Sequence, residues 1–195
     1  MKQLLITFTL ITCSLFLSVG NAVLSSELQE NTYHDLINNP THPQVEQIIQ
    51  SNTEPEGVVF EIETLDSQAL ETLTDYVISQ IKLIKRVYPA VDVAVISHGA
   101  EEFALQKSSS SEFADVHNMF NNLVSTQGVS IHVCGAVGGL KQLTQEDFPD
   151  FVSYSASGLA QLNDYKALGY SVVVIKELNQ RQRKQLFEKP ERYIK

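Results

Sequence analysis

The chain has 195 residues, 43% of them hydrophobic, with 23 acidic against 14 basic side chains and a formal net charge of −9. That length suits one domain with its own core and is short for two. A surface this acidic argues against nucleic acid as a partner.

Residues 1–22, MKQLLITFTLITCSLFLSVGNA, hold one lysine, an apolar stretch, and Gly20 and Ala22 at the small positions that a signal peptidase reads. They predict a signal peptide cleaved near Ala22 and therefore a periplasmic or secreted protein. A membrane anchor fits less well, because the polar segment that follows has no stop-transfer charge cluster, so no stable membrane insertion is expected once the signal is removed. A lipoprotein would have to be acylated at Cys13, where Thr12 stands in place of the usual small residue. Cleavage leaves Cys134 as the only cysteine. In an oxidising compartment it is buried and inert, free and reactive, or paired between chains.

Residues 23–56 are polar, acidic and broken by Pro40, Pro43 and Pro55, which reads as an extension with one weak helical stretch near Val45–Ile49. His34 and His42 fall there and read as ordinary surface histidines. Val58–Ile62 is the first expected strand, and Asp66 or Ser67 is placed to cap the helix after it. In that helix Leu70, Leu73, Tyr76, Val77, Ile81 and Ile84 recur at three and four residues, one stripe against a sheet, until Pro89 stops it. Val91–Ser97 is the second strand, with His98 and Gly99 directly after it, and a short helix is expected from Ala100 to about Gln106.

Serines 108–111 form a polar turn before a helix whose stripe is Phe113, Val116, Met119, Phe120 and Leu123, closed by Gly128. The third strand, Val129–Cys134, puts Ser130, His132 and Cys134 on one face and Val129, Ile131 and Val133 on the other. Asp147–Asp150 forces a loop. Phe151–Ser155 is a fourth strand, Gly158–Leu168 a helix ended by Gly169, and Tyr170–Ile175 a fifth strand. The basic residues gather at the end, in 179–195, which reads as a solvated helix or tail.

Strand and helix alternate throughout, which predicts an α/β fold with about five mostly parallel strands and helices on both faces, over residues 57–178. The strands are short apolar runs without clean alternation, as burial on both faces requires. Ligands gather outside the carboxyl ends of such strands, and His98 and Cys134 both end strands there. A thiol at that rim, beside His98 and His132 and the backbone N–H groups of Gly99, Gly135, Gly138 and Gly139, is a candidate nucleophile. The alternative is a small apolar cysteine that closes a strand, with both histidines satisfied at its edge. Glu101 and Glu102 are candidate acids that read more simply as a solvated helix start.

Other chemistries lack their signatures. The glycines after Cys134 do not match G-x-G-x-x-G, no G-K-[ST] follows them, and G-x-S-x-G is absent. Two histidines and one cysteine make only a weak nucleus for zinc or copper, so no metal and no cofactor is expected.

The segments VVFEI at 58, AVISHG at 94, GVSIHVCG at 128, EDFPDFV at 146 and ALGYSVVVI at 167, in this order and spacing, resemble the DsrE-like family, in particular its exported single-domain members. The resemblance covers about Val58 to Leu178. It implies a flavodoxin-like three-layer sandwich, assembly into homotrimers or hexamers, and a cysteine, here Cys134, that carries sulfane sulfur as a persulfide between donor and acceptor proteins. A metal- or small-ligand-binding oligomer and a non-catalytic partner-binding protein are the other readings.

Overall fold

A computed structural model of the chain describes residues 40–194. The signal peptide read from residues 1–22, its cleavage site and the extension as far as residue 39, His34 included, lie outside the described residues.

The elements follow the chain as α1 (Pro43–Gln50), β1 (Val58–Ile62), α2 (Leu70–Val87), β2 (Val93–Ser97), α3 (Ala114–Gln127), β3 (Ser130–Cys134), α4 (Gly135–Gly138), β4 (Val152–Ser155), α5 (Gly158–Ala167), β5 (Ser171–Lys176) and α6 (Gln180–Glu188). All five strands are parallel, in the order β4-β3-β2-β1-β5. The fold is an α/β sandwich of the flavodoxin-like type.

Right-handed crossovers explain the layers. The steps β1 to β2 to β3 to β4 run one way, which sends α2 and α3 to one face; β5 returns past β1, which sends α5 to the other. On the first face Phe60, Ile62, Val95, Ile131 and Val133 meet Val77, Ile81 and Ile84 of α2 and Phe120 and Leu123 of α3. Phe60, fully buried here, is worth roughly 1.5–3 kcal/mol against exposure. On the second face Val59, Ala94 and Ile96 form a buried cluster with Leu162, and Tyr165, Tyr170 and Val172 pack against it half-buried at the margin.

The expected elements are present with small shifts. The stretch after β2 is a 3-10 helix, Ala100–Leu105, and α3 begins at Ala114 without a serine cap. Asp66 accepts the Gln68 N–H at 3.0 Å but does not cap α2, whose N-cap is Ala69. Gly128, at φ 66°, closes α3 in the left-handed conformation that the sequence reading required.

Two segments at the margins of the domain belong to its core. In α1, Val45 is 0% and Ile48 8% exposed within the first-face cluster, and the His42 side chain accepts the Gln44 N–H as the helix N-cap. In α6 the one buried residue, Leu186, joins the apolar cluster that contains Cys134 instead of facing solvent.

Candidate functional site at the end of the third strand

Cys134 ends β3, is not in a disulfide and is 5% exposed. It belongs to an apolar cluster with Ala100 and Phe103 from the 3-10 helix after β2, Val137 from α4, and Leu178 and Leu186 from the C-terminal segment, with Leu140, Tyr193 and Ile194 at the margin. The C-terminal segment thus supplies part of the cover of the cluster that holds the thiol. The residues that build the cover, all but Leu178 within the stretch that reads in sequence as a solvated tail, are the apolar positions of an otherwise polar helix and its flanks.

Four carboxylates line this rim, of which only Glu101 and Glu102 stand out in the sequence. Glu61, Glu63, Glu101 and Glu102 are each 3% exposed or less. Burying an ionised carboxylate costs several kcal/mol unless donors and charges replace its water. Glu101 has four donors: Ser97 Oγ–H and the Gly99 N–H at 2.9 Å to one oxygen, the Thr64 N–H at 2.8 Å and Oγ1–H at 2.9 Å to the other. Burial still pushes its pKa upward. It ties the segment after β1 to the end of β2 and has no oxygen left for chemistry.

Glu63 is held by Arg183 of α6 in a forked contact, Nε at 2.6 Å and Nη2 at 2.6 Å from opposite oxygens, and it also accepts the Leu178 N–H at 3.0 Å. Such a planar fork is the strong form of a charge-assisted pair. It raises the Arg183 pKa further above its usual value.

Glu102 is the least compensated of the four. One oxygen accepts the backbone N–H of Cys134 at 2.9 Å, while Oε1 is buried without a hydrogen-bond partner. Desolvation outweighs the backbone N–H groups of Cys134 and Gly138, which favour the ionised form, and with the charges of Cys134 and Glu101 it holds the pKa well above the carboxylate range, so the group stays protonated where an exposed glutamate is ionised.

The histidines have carboxylate and hydroxyl partners. His98 is 3% exposed at the end of β2, with Nε2 3.1 Å from Glu61 and Nδ1 3.6 Å from Glu63. It nonetheless stands close to Cys134, because both flank Gly158 at the start of α5: a Cβ there would lie 2.4 Å from His98 Cβ and 3.3 Å from Cys134 Cβ. His132 shares the Cys134 face of β3 but bonds through Nε2 to the Tyr165 hydroxyl at 2.8 Å. Its Nδ1 is buried and unpartnered, and burial lowers its pKa, which favours the neutral ring.

Packing by itself accounts for three of the four candidate glycines. A Cβ on Gly99 would lie 2.4 Å from the Thr64 backbone, one on Gly135 2.7 Å from the Tyr154 ring, and one on Gly138 3.3 Å from the same ring; Gly139 has open space.

A cavity of about 370 Å³ lies between the segments after β1 and β5, lined by Glu63, Thr64, Asp66, Leu73, Lys176 and Gln182 among others. This is where the strand order reverses, the position at which open parallel sheets bind ligands. Cys134 does not line it, but Glu63 and Leu178 do. No cluster of metal-ligating side chains occurs among the described residues.

The sequence hides this site for a physical reason. An acid inside an apolar strand, as in VVFEI, was the available signal for Glu61; nothing local marks Arg183 as the partner of a residue 120 positions earlier.

No family model matches the chain, and no curated protein does. Among solved structures it is similar to MTH1491 from Methanobacterium thermoautotrophicum, a protein of unknown function, at 20% identity and a TM-score of 0.48, over 60% of this chain and 96% of that one.

Proposed function

We propose that the protein is an exported, DsrE-like sulfur carrier that works as a homo-oligomer and holds sulfane sulfur on Cys134 as a persulfide. The observation that carries the reading is that the one free cysteine among the described residues donates its backbone N–H to the carboxyl of Glu102, which stays un-ionised and whose second oxygen has no partner. A thiol needs somewhere to leave its proton when it attacks, and a departing thiolate needs one back.

The step balances without an outside oxidant. Cys134 sulfur attacks the outer sulfur of a donor persulfide, R–S–SH; the donor S–S bond breaks as the new one forms, giving R–SH and Cys134–S–SH. The thiol proton passes to one Glu102 oxygen as the carboxyl proton passes to the leaving sulfur. An acceptor thiol reverses the sequence and frees Cys134. His98, fixed between Glu61 and Glu63, holds the floor of the site and is not assigned a proton transfer.

Intact-mass analysis after incubation with polysulfide or thiosulfate tests this. A one-sulfur adduct is expected on the wild type and not on Cys134→Ser. No adduct from any of these donors overturns the reading.

A further inference from the structure

Resting on Cys134 as the working thiol, we propose that the segment from Glu177 to Ile194 is a lid over it, latched by Arg183 on Glu63, and that the thiol reacts only while this lid is lifted.

The cover and the floor differ in how firmly they are held. The floor belongs to the sheet: β3 is paired on both sides, and Val133 and Val137 are buried to within 1%. The cover is held at few points. Within α6 only Leu186 is buried, Phe187 stands 47% exposed, and the remaining residues of the helix are polar or charged. Leu178 anchors one end and Tyr193 and Ile194 pack at the other.

The polar attachment converges on one side chain. Glu63 accepts both the Arg183 guanidinium and the Leu178 N–H, so a single carboxylate holds the entrance to α6 and its first turns. The Arg183 side chain is about a quarter exposed, at 27%, and Glu63 borders the 370 Å³ cavity, so water can take over these bonds when the helix lifts. The groups facing the latch are His98 against Glu63 and Glu177 against Arg183, the latter at 3.1 Å. An element joined to the core by few apolar contacts and one exchangeable ion pair opens locally at far less cost than the domain unfolds. While it is closed, a cysteine only 5% exposed offers little of itself to a donor the size of a thiol compound.

The test uses the full chain. Alkylation of Cys134 by iodoacetamide is followed by intact mass and expressed as protection relative to free glutathione, beside amide hydrogen exchange under the same conditions. In the wild type the thiol should be protected to the same degree as the α6 amides, and much less than the amides of β2 and β3. Arg183→Ala should speed alkylation and α6 exchange together by about ten-fold or more, the effect of losing a charge-assisted bond, and leave β2 and β3 unchanged.

A thiol as reactive as glutathione overturns the lid, because nothing then covers it. A thiol protected like the β3 amides overturns it too, because access then needs global unfolding. Both outcomes are read on the wild type, so an Arg183→Ala chain that fails to fold does not blunt the test. Alkylation that follows α6 while no sulfur adduct ever forms would leave the lid standing and remove the sulfur chemistry.

Discussion

Glu102 accepts the backbone N–H of Cys134 at 2.9 Å with one carboxyl oxygen and leaves the other buried and without a partner. That asymmetry has a thermodynamic consequence. The folded state keeps the Glu102 proton at pH values where the unfolded chain, with the ordinary value of 4.5, has released it. More protons are then bound by the folded state, so its stability falls as pH rises from about 4.5 through the raised pKa. Glu102→Gln keeps an acceptor for the Cys134 N–H and removes the titration. Urea midpoints should fall with pH in the wild type more steeply than in the variant, and the variant should gain relative stability at neutral pH. Parallel pH profiles would contradict this account of Glu102.

The same substitution separates chemistry from folding. Gln cannot take or return a proton, so persulfide formation on Cys134 should slow by about 100-fold in Glu102→Gln, the usual contribution of a positioned acid or base. Thiol alkylation, which needs access but not that relay, should change far less. Stopped-flow or quenched mass measurements of both rates on one preparation check the contrast, and an equal loss in both would assign Glu102 to packing alone.

The fold was legible because its signals are local. The α2 stripe, the apolar strands and the Gly128 stop are all patterns of neighbouring residues, and each element stands close to where the pattern put it. The site was legible only at Cys134 and His98, which end strands. Glu101 and Glu102, which read as a solvated helix start, are fully buried, because the 3-10 helix that carries them packs against α2, α3 and α4 and their carboxylates meet the backbone N–H groups of Thr64, Gly99 and Cys134. Arg183 and Leu186 lay in a stretch whose composition is that of a surface helix, and only the tertiary contact of α6 with the strand ends makes them part of the site.

Val45 gives a direct test of where the domain begins. Residues 41–56 have the composition of an extension, yet Val45 is fully buried against the first-face core. Val45→Ala should cost about 2 kcal/mol in a denaturant titration, the transfer of the lost methyls plus the cavity they leave. A surface segment would show no measurable change.

Gly158 and Gly139 form an internal control for packing at the rim. A Cβ at Gly158 meets His98 at 2.4 Å, and both His98 and Cys134 belong to strand ends that cannot yield freely. Gly158→Ala should therefore destabilise the protein by about 1–3 kcal/mol, as overpacking does, and disturb the His98–Glu61 contact. Gly139 has open space and an ordinary φ of −59°, so Gly139→Ala should stay within about 0.5 kcal/mol of the wild type. Thermal melts of the two variants give the difference directly; equal melts would mean that the start of α5 can move away from the rim.

The second sheet face makes the proposed assembly testable by a single charge. There α5 is the helix packed on β1, β2 and β3, and beside it Tyr165, Tyr170 and Val172 are only half-buried, while Leu159 and Leu168 stand 42% and 64% exposed. Large exposed leucines next to a half-covered apolar margin are what a contact with another copy would bury. Light scattering behind size exclusion should give a mass of several chains for the protein. Leu168→Asp, which places an unpaired charge in that contact, should reduce it to one chain while leaving the circular dichroism of the fold unchanged. A monomeric wild type at tens of micromolar would remove the oligomer from the reading, and an Asp variant of unchanged mass would move the interface to another face.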